Sequence, residues 1–151
     1  MTQHARKPAV AALLLTLAAG AAALAGTGQF RSGGGSKDLA ALEKRIAGHP
    51  DAGTWAAYGD ALRAAHRPGE AAEAYERSLA LDPANRATKM NVALALAQAK
   101  RGDDFFAYVS RLTITDPKTA ADLMNDPGVG PMHGDSRFRV AAELARAQAV
   151  D

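Results

Sequence analysis

The sequence predicts an all-α fold, and three observations carry that prediction. Alanine dominates the apolar residues, which make up 48% of the 151-residue chain, while aromatics supply only 5%. Alanine has the strongest helix propensity, whereas strands favour β-branched and aromatic side chains. From residue 52 onward, apolar positions recur at helical spacing in short blocks broken by Pro, Gly and Asp. Pro83 and Pro117 each follow an Asp at the end of such a block, and they stand 34 residues apart. A repeat of that length marks a helix pair too small to bury both of its faces alone, so it stacks on neighbours.

The first element is the N-terminal segment. Arg6 and Lys7 precede a 23-residue uncharged run, residues 8–30. That run is long enough to cross a bilayer as a helix of about 20 residues. It also fits a secretory signal, with the small residues 23–25, Ala-Leu-Ala, before Gly26 as a cleavage motif. A buried helix of the folded domain would show a polar face, and this run shows none. Residues 1–30 are therefore read as a transmembrane anchor or a cleaved signal. The basic start holds the N-terminus in the cytoplasm by the positive-inside bias and places the rest on the periplasmic or extracytoplasmic side. Residues 31–37, rich in Gly and Ser, are expected to form a flexible linker to one domain, residues 38–151.

Residues 38–48 place Leu39, Leu42 and Ile46 on one helical face before Pro50 closes the helix. Residues 55–83 then read as two amphipathic helices around a Pro68-Gly69 turn. Trp55, Tyr58, Gly59 and Leu62 lie on the first, and Ala71, Tyr75, Ser78 and Leu79 on the second, with Pro83 as terminator. Gly59 and Ala71 are small enough for the two backbones to approach closely, while the larger side chains fill the space around the contact.

This pattern of residues resembles the tetratricopeptide repeat (TPR) family, specifically at residues 52–85 and more loosely at residues 86–119. In the second stretch Val92, Ala93 and Leu96 keep the core positions, but Lys89 replaces an aromatic and Phe105 replaces the small residue. Val109 and Leu112 follow, and Phe105-Phe106 is read as core. His66 and Lys100 stand where the family carries a turn glycine, with Gly69 and Gly102 displaced beyond them. Residues 38–48 resemble the second helix of a preceding half repeat. Residues 120–149 resemble a terminal cap: a short helix, a loop, and a last helix docking through Phe138, Val140, Ala141 and Leu144. The resemblance implies a short TPR solenoid of about two repeats with flanking capping helices.

Composition excludes several chemistries. There are no cysteines, hence no disulfides, thiolate metal sites or lipid-attached cysteine. The net charge of +2 is the contribution of Arg6 and Lys7, so the domain is near neutral and carries no electrostatic footprint for nucleic acid. His4, His49, His66 and His133 form no ligand pair at helical spacing and read as solvated residues. No nucleophile elbow, phosphate loop or paired carboxylate site is present in the sequence, and neither an enzyme nor a cofactor is expected.

The resemblance instead implies a protein-interaction module, with a protein or peptide partner held along the first helix of each repeat. By position, that concave face carries Ala56, Asp60 and Arg63 from the first repeat and Met90, Asn91, Leu94 and Gln98 from the second. The paired basic residues that chaperone-type TPR clamps use for C-terminal carboxylates are missing, which argues against that partner class. The expected function is an adaptor or scaffold tethered in the cell envelope. Residues 39–75 also resemble the anchored TPR subunits of cytochrome c maturation, which hold apocytochrome, and that is the first alternative. A small helical ligand-binding domain is the second.

Overall fold

Five helices of 13 or 14 residues are followed by three shorter helical segments among the described residues. A computed structural model of the chain describes residues 35–150. In order they form α1 (Gly35–Gly48), α2 (Ala52–Ala64), α3 (Pro68–Leu81), α4 (Arg86–Gln98), α5 (Gly102–Thr115), α6 (Pro117–Met124), a 3-10 segment (Pro127–Met132) and α7 (Arg137–Gln148). No strand occurs among the described residues, so the all-α class is observed. The anchor or signal segment and residues 31–34 of the expected linker lie outside the described residues. The helix α1 starts at Gly35, three residues before the predicted boundary, so the last three residues of that linker are helical. No helix among the described residues is long and apolar enough to cross a membrane.

The local chemistry recurs at the 34-residue interval. Asp51 caps α2 by accepting a hydrogen bond from the Thr54 backbone N–H at 2.7 Å, and Asn85 caps α4 through Thr88 at 3.0 Å. Both threonines are buried, and each cap satisfies a donor that the first helical turn would leave orphaned. At the other end, α2 closes with Arg67 N–H donating to the Leu62 carbonyl and His66 N–H to the Arg63 carbonyl. Arg101 with Leu96, and Lys100 with Ala97, repeat this at the end of α4. These are Schellman closures, whose residue after the helix adopts positive φ. His66 does so at 59° and Lys100 at 56°.

The turn thus differs from the one predicted. Pro68 and Gly69 are the first two residues of α3, and the reversal is made by Ala65, His66 and Arg67. Proline suits a first helical position because its missing N–H would be unsatisfied there anyway. Arg67 then clasps Glu70 through two hydrogen bonds of 2.7 and 2.5 Å, as Arg101 clasps Asp104 at 2.7 Å ahead of α5.

Each of α1 to α4 packs against the next. Ser78 on α3 donates to the Ala52 carbonyl at the start of α2, while Tyr75 reaches Asp60 further along it, so the two helices run antiparallel. The Tyr75 ring lies over Gly59 so closely that a Cβ there would come within 2.6 Å of it. Ala71, Tyr75 and Leu62 are almost fully buried, as predicted. In the next pair Phe105 is fully buried and meets Phe106 edge-on, ring centroids 5.1 Å apart. Core packing is therefore the role of both phenylalanines.

The C-terminal part departs most from expectation. Residues 127–132, read as loop, form the 3-10 segment, with Val129 and Met132 buried and the segment packed on α4. The helix α7 turns Ala142 and Ala145 into the core, and Phe138 and Ala141 are half-buried. Val140 and Leu144, predicted to dock, face solvent at 62% and 50% exposure. The helix α7 packs on α5 and α6, and Arg137 lies at its start. This arginine pairs with Asp135 and Asp103 and lies 4.4 Å over the Phe106 ring.

Candidate functional site

The last two turns of α2 and of α4 bring several predicted groove residues together. Asp60 is one helical turn before Arg63, which places both on one face of α2. Tyr75 supplies the third member from α3. Its hydroxyl donates to Asp60 Oδ1 at 2.5 Å and lies beside the Arg63 guanidinium. Arg63 in turn donates to Asn91 Oδ1 on α4 at 3.5 Å, a long contact between the two helices. Burial, followed by the Asp60 carboxylate that accepts its proton, pushes the Tyr75 hydroxyl up to about 12.

Beside this network an open depression is lined by Asp60, Arg63, Ala64, His66 and Gln98. Three of the predicted site residues therefore line one concavity, and Asn91 adjoins it through Arg63. Met90 is half-buried on α4 and takes no part in these hydrogen bonds. Leu94 does not line an open groove. The 3-10 segment lies on it, and a Cβ at Gly128 would come within 2.7 Å of Leu94 Cδ2. The predicted face is thus polar and open along α2, and covered where α4 carries Leu94.

Two participants were not foreseen. Tyr75 was read as core, which its ring is, but its hydroxyl reaches the polar network. His66 was read as a solvated turn residue, yet its positive φ sets it at the rim of the depression. The available signal was its place in the turn where glycine was expected.

Two other concavities differ in kind. A small cavity of about 90 Å³ lies between α3 and α5, with Glu73, Glu76, Arg101, Asp104 and Arg111 around Ala72, Leu96 and Ala107. A shallow apolar one is formed by Leu79, Pro83, Tyr108 and Leu112, with Lys89, Arg111 and Thr115 at its edge. Lys89, which replaced an expected aromatic, pairs with Asp116 at 2.8 Å, and its carbonyl accepts from the Tyr108 hydroxyl at 3.0 Å. The Lys89 ammonium, and next the Thr119 donors, hold the Asp116 carboxyl below the usual range against the opposing effect of burial. Among the described residues no group of three or more His, Asp or Glu side chains is placed to hold a metal ion.

Comparison with known proteins finds no family model, no curated relative and no solved structure that matches this chain.

Proposed function

We propose that the chain is a TPR-type interaction module, non-enzymatic, tethered in the cell envelope through its N-terminal segment, which takes a protein or peptide partner along α2 and the last turn of α4. The observation that carries this reading is the recurrence of caps, Schellman closures and Arg clasps at 34-residue intervals through α2–α3 and α4–α5. Units that repeat in this way stack into a solenoid whose concave side serves as an extended binding surface. The depression at Asp60, Arg63 and Gln98 supports that side as the binding face, because its polar groups converge there.

Site-specific photocrosslinking in membranes of the native host tests this. A benzophenone side chain at exposed Gln98 should yield a discrete adduct with another polypeptide, while one at exposed Arg77 on α3 should not. Adducts from Arg77 alone, or from neither position, would overturn the reading.

A further inference from the structure

We propose that the depression at the ends of α2 and α4 is a subsite for one acidic side chain of the partner polypeptide, with Arg63 as its counter-charge and Gln98 and His66 as flanking hydrogen-bond groups. The inference rests on the reading of this face as the binding surface, and it adds the ligand chemistry.

Charge is the first argument. Arg63 forms no ion pair among the described residues, which is true also of Arg45, Arg77, Arg111, Arg139 and Arg146, but it is the arginine that lines this depression. Its long contact with the Asn91 oxygen occupies one of five N–H donors. Asp60 is the one carboxylate lining the depression, and it accepts the Tyr75 hydroxyl at 2.5 Å. A guanidinium fixed at the edge of a concavity, with free donors in a planar fork, matches a carboxylate bidentately. The nearby Asp60 charge disfavours a dianion, so a carboxylate fits the site better than a phosphate.

Geometry is the second argument. His66 keeps a left-handed backbone where glycine would be relaxed, and this sets its imidazole at the rim. The His66 turn therefore adds a hydrogen-bonding ring to this edge. A chain-end carboxylate carries its own peptide groups into the site, and the Asn91 oxygen that could receive one is engaged by Arg63. A glutamate brings its carboxylate in on a flexible stem and leaves its backbone outside.

The test uses the full chain in detergent micelles with 15N-labelled side chains. The probes are acetyl-Ala-Glu-Ala-amide, its Gln counterpart, and acetyl-Ala-Ala-Ala with a free carboxylate. The Arg63 Nε–H and Gln98 amide resonances should shift saturably with the Glu peptide, at least about fivefold more tightly than with either other probe. Arg63→Gln should remove that preference. Gln98→Glu, at an exposed position, should weaken it while leaving the melting curve unchanged. Equal response to the Glu and Gln peptides, or tighter saturation by the chain-end carboxylate, would overturn the assignment. Retained crosslinking at Gln98 alongside such a result would reject the ligand chemistry and keep the binding face.

Discussion

The helix pairs α2–α3 and α4–α5 share their ends and differ in their middles. At the ends, Asp51 and Asn85, His66 and Lys100, and Arg67 and Arg101 do the same work 34 residues apart. In the middle, Gly59, Ala71 and Tyr75 of the first pair correspond to Ala93, Phe105 and Val109 of the second. The large ring stands one helical turn earlier on the second helix, and the position of Gly59 is taken by Ala93. Local hydrogen bonding sets where helices stop, while side-chain volume sets how closely they lie. The two are independent, so a chain can keep one and vary the other.

The largest effect should come from removing volume in the second pair. Phe105→Ala should cost about 3–5 kcal/mol, since a fully buried ring leaves a cavity that its neighbours fill only in part. Urea unfolding followed by circular dichroism would read this, and a cost below about 1 kcal/mol would mean that α4 and α5 close on each other as α2 and α3 do.

The first pair should fail in the opposite way. Gly59→Ala inserts a Cβ 2.6 Å from the Tyr75 ring, and overpacking of this kind costs about 1–3 kcal/mol despite the better helix propensity of alanine. Gly69→Ala in α3, where a Cβ meets nothing within 4 Å, should instead be neutral or stabilising by up to about 1 kcal/mol. Loss of that contrast in melting temperature would refute the close approach of α2 and α3.

A smaller effect separates the pairs at alkaline pH. Tyr75 and Tyr108 both have hydroxyls pushed up to about 12, chiefly by burial, but only Tyr75 is reinforced by a carboxylate acceptor, Asp60. A raised folded value means that the associated stability is complete below the unfolded value of 10.0 and is lost as pH rises toward about 12. Tyr75→Phe should cost about 1 kcal/mol near neutrality, the worth of one hydrogen bond. It should also lose less stability than the parent on passing from pH 10 to about 12. An alkaline transition identical to the parent's would show that Tyr75 does not contribute to it.

The smallest effect concerns the turns. His66→Gly and Lys100→Gly relieve a positive φ that costs a side-chain-bearing residue about 1 kcal/mol, partly offset by the greater unfolded-state freedom of glycine. Each should raise stability by a few tenths of a kcal/mol, to a similar degree in both pairs. Destabilisation by either change would mean that the side chain, and not the backbone, holds that turn.

The parts of the fold legible beforehand are those governed by local chemistry. Pro83 and Pro117 with their preceding aspartates delimit helices whatever surrounds them, and Ala71 and Tyr75 follow from small-to-large matching across a helix pair. The 3-10 segment was illegible because Pro, Gly and Val in irregular order carry no periodicity. Only its packing on α4 buries Val129 and Met132. Leu94 was misplaced for the same reason, since its cover comes from Gly128, far along the chain. For α7, apolar Val140 and Leu144 outweighed Ala142 and Ala145 on paper, yet the core takes the alanines, which allow a closer backbone. Asp60, Arg63, Asn91 and Gln98 were expected on one face by position, and three of them line the same depression. The Tyr75 hydroxyl and the His66 rim required the fold.

The return of residues 127–132 onto α4 also bears on how such an array could lengthen. Modular chains grow by copying their unit in tandem, and a new copy needs an unoccupied flank to dock on. After α6 the chain folds back and occupies that flank with its own Val129 and Met132. A duplicated unit spliced there would have to displace a buried segment. Spliced at the Asp82–Asn85 bend, it would receive α3 on one side and offer its own second helix to α4 on the other. The 3-10 segment acts as a stop on that flank of α4, and the bend between α3 and α4 is where this arrangement of helices is open to growth.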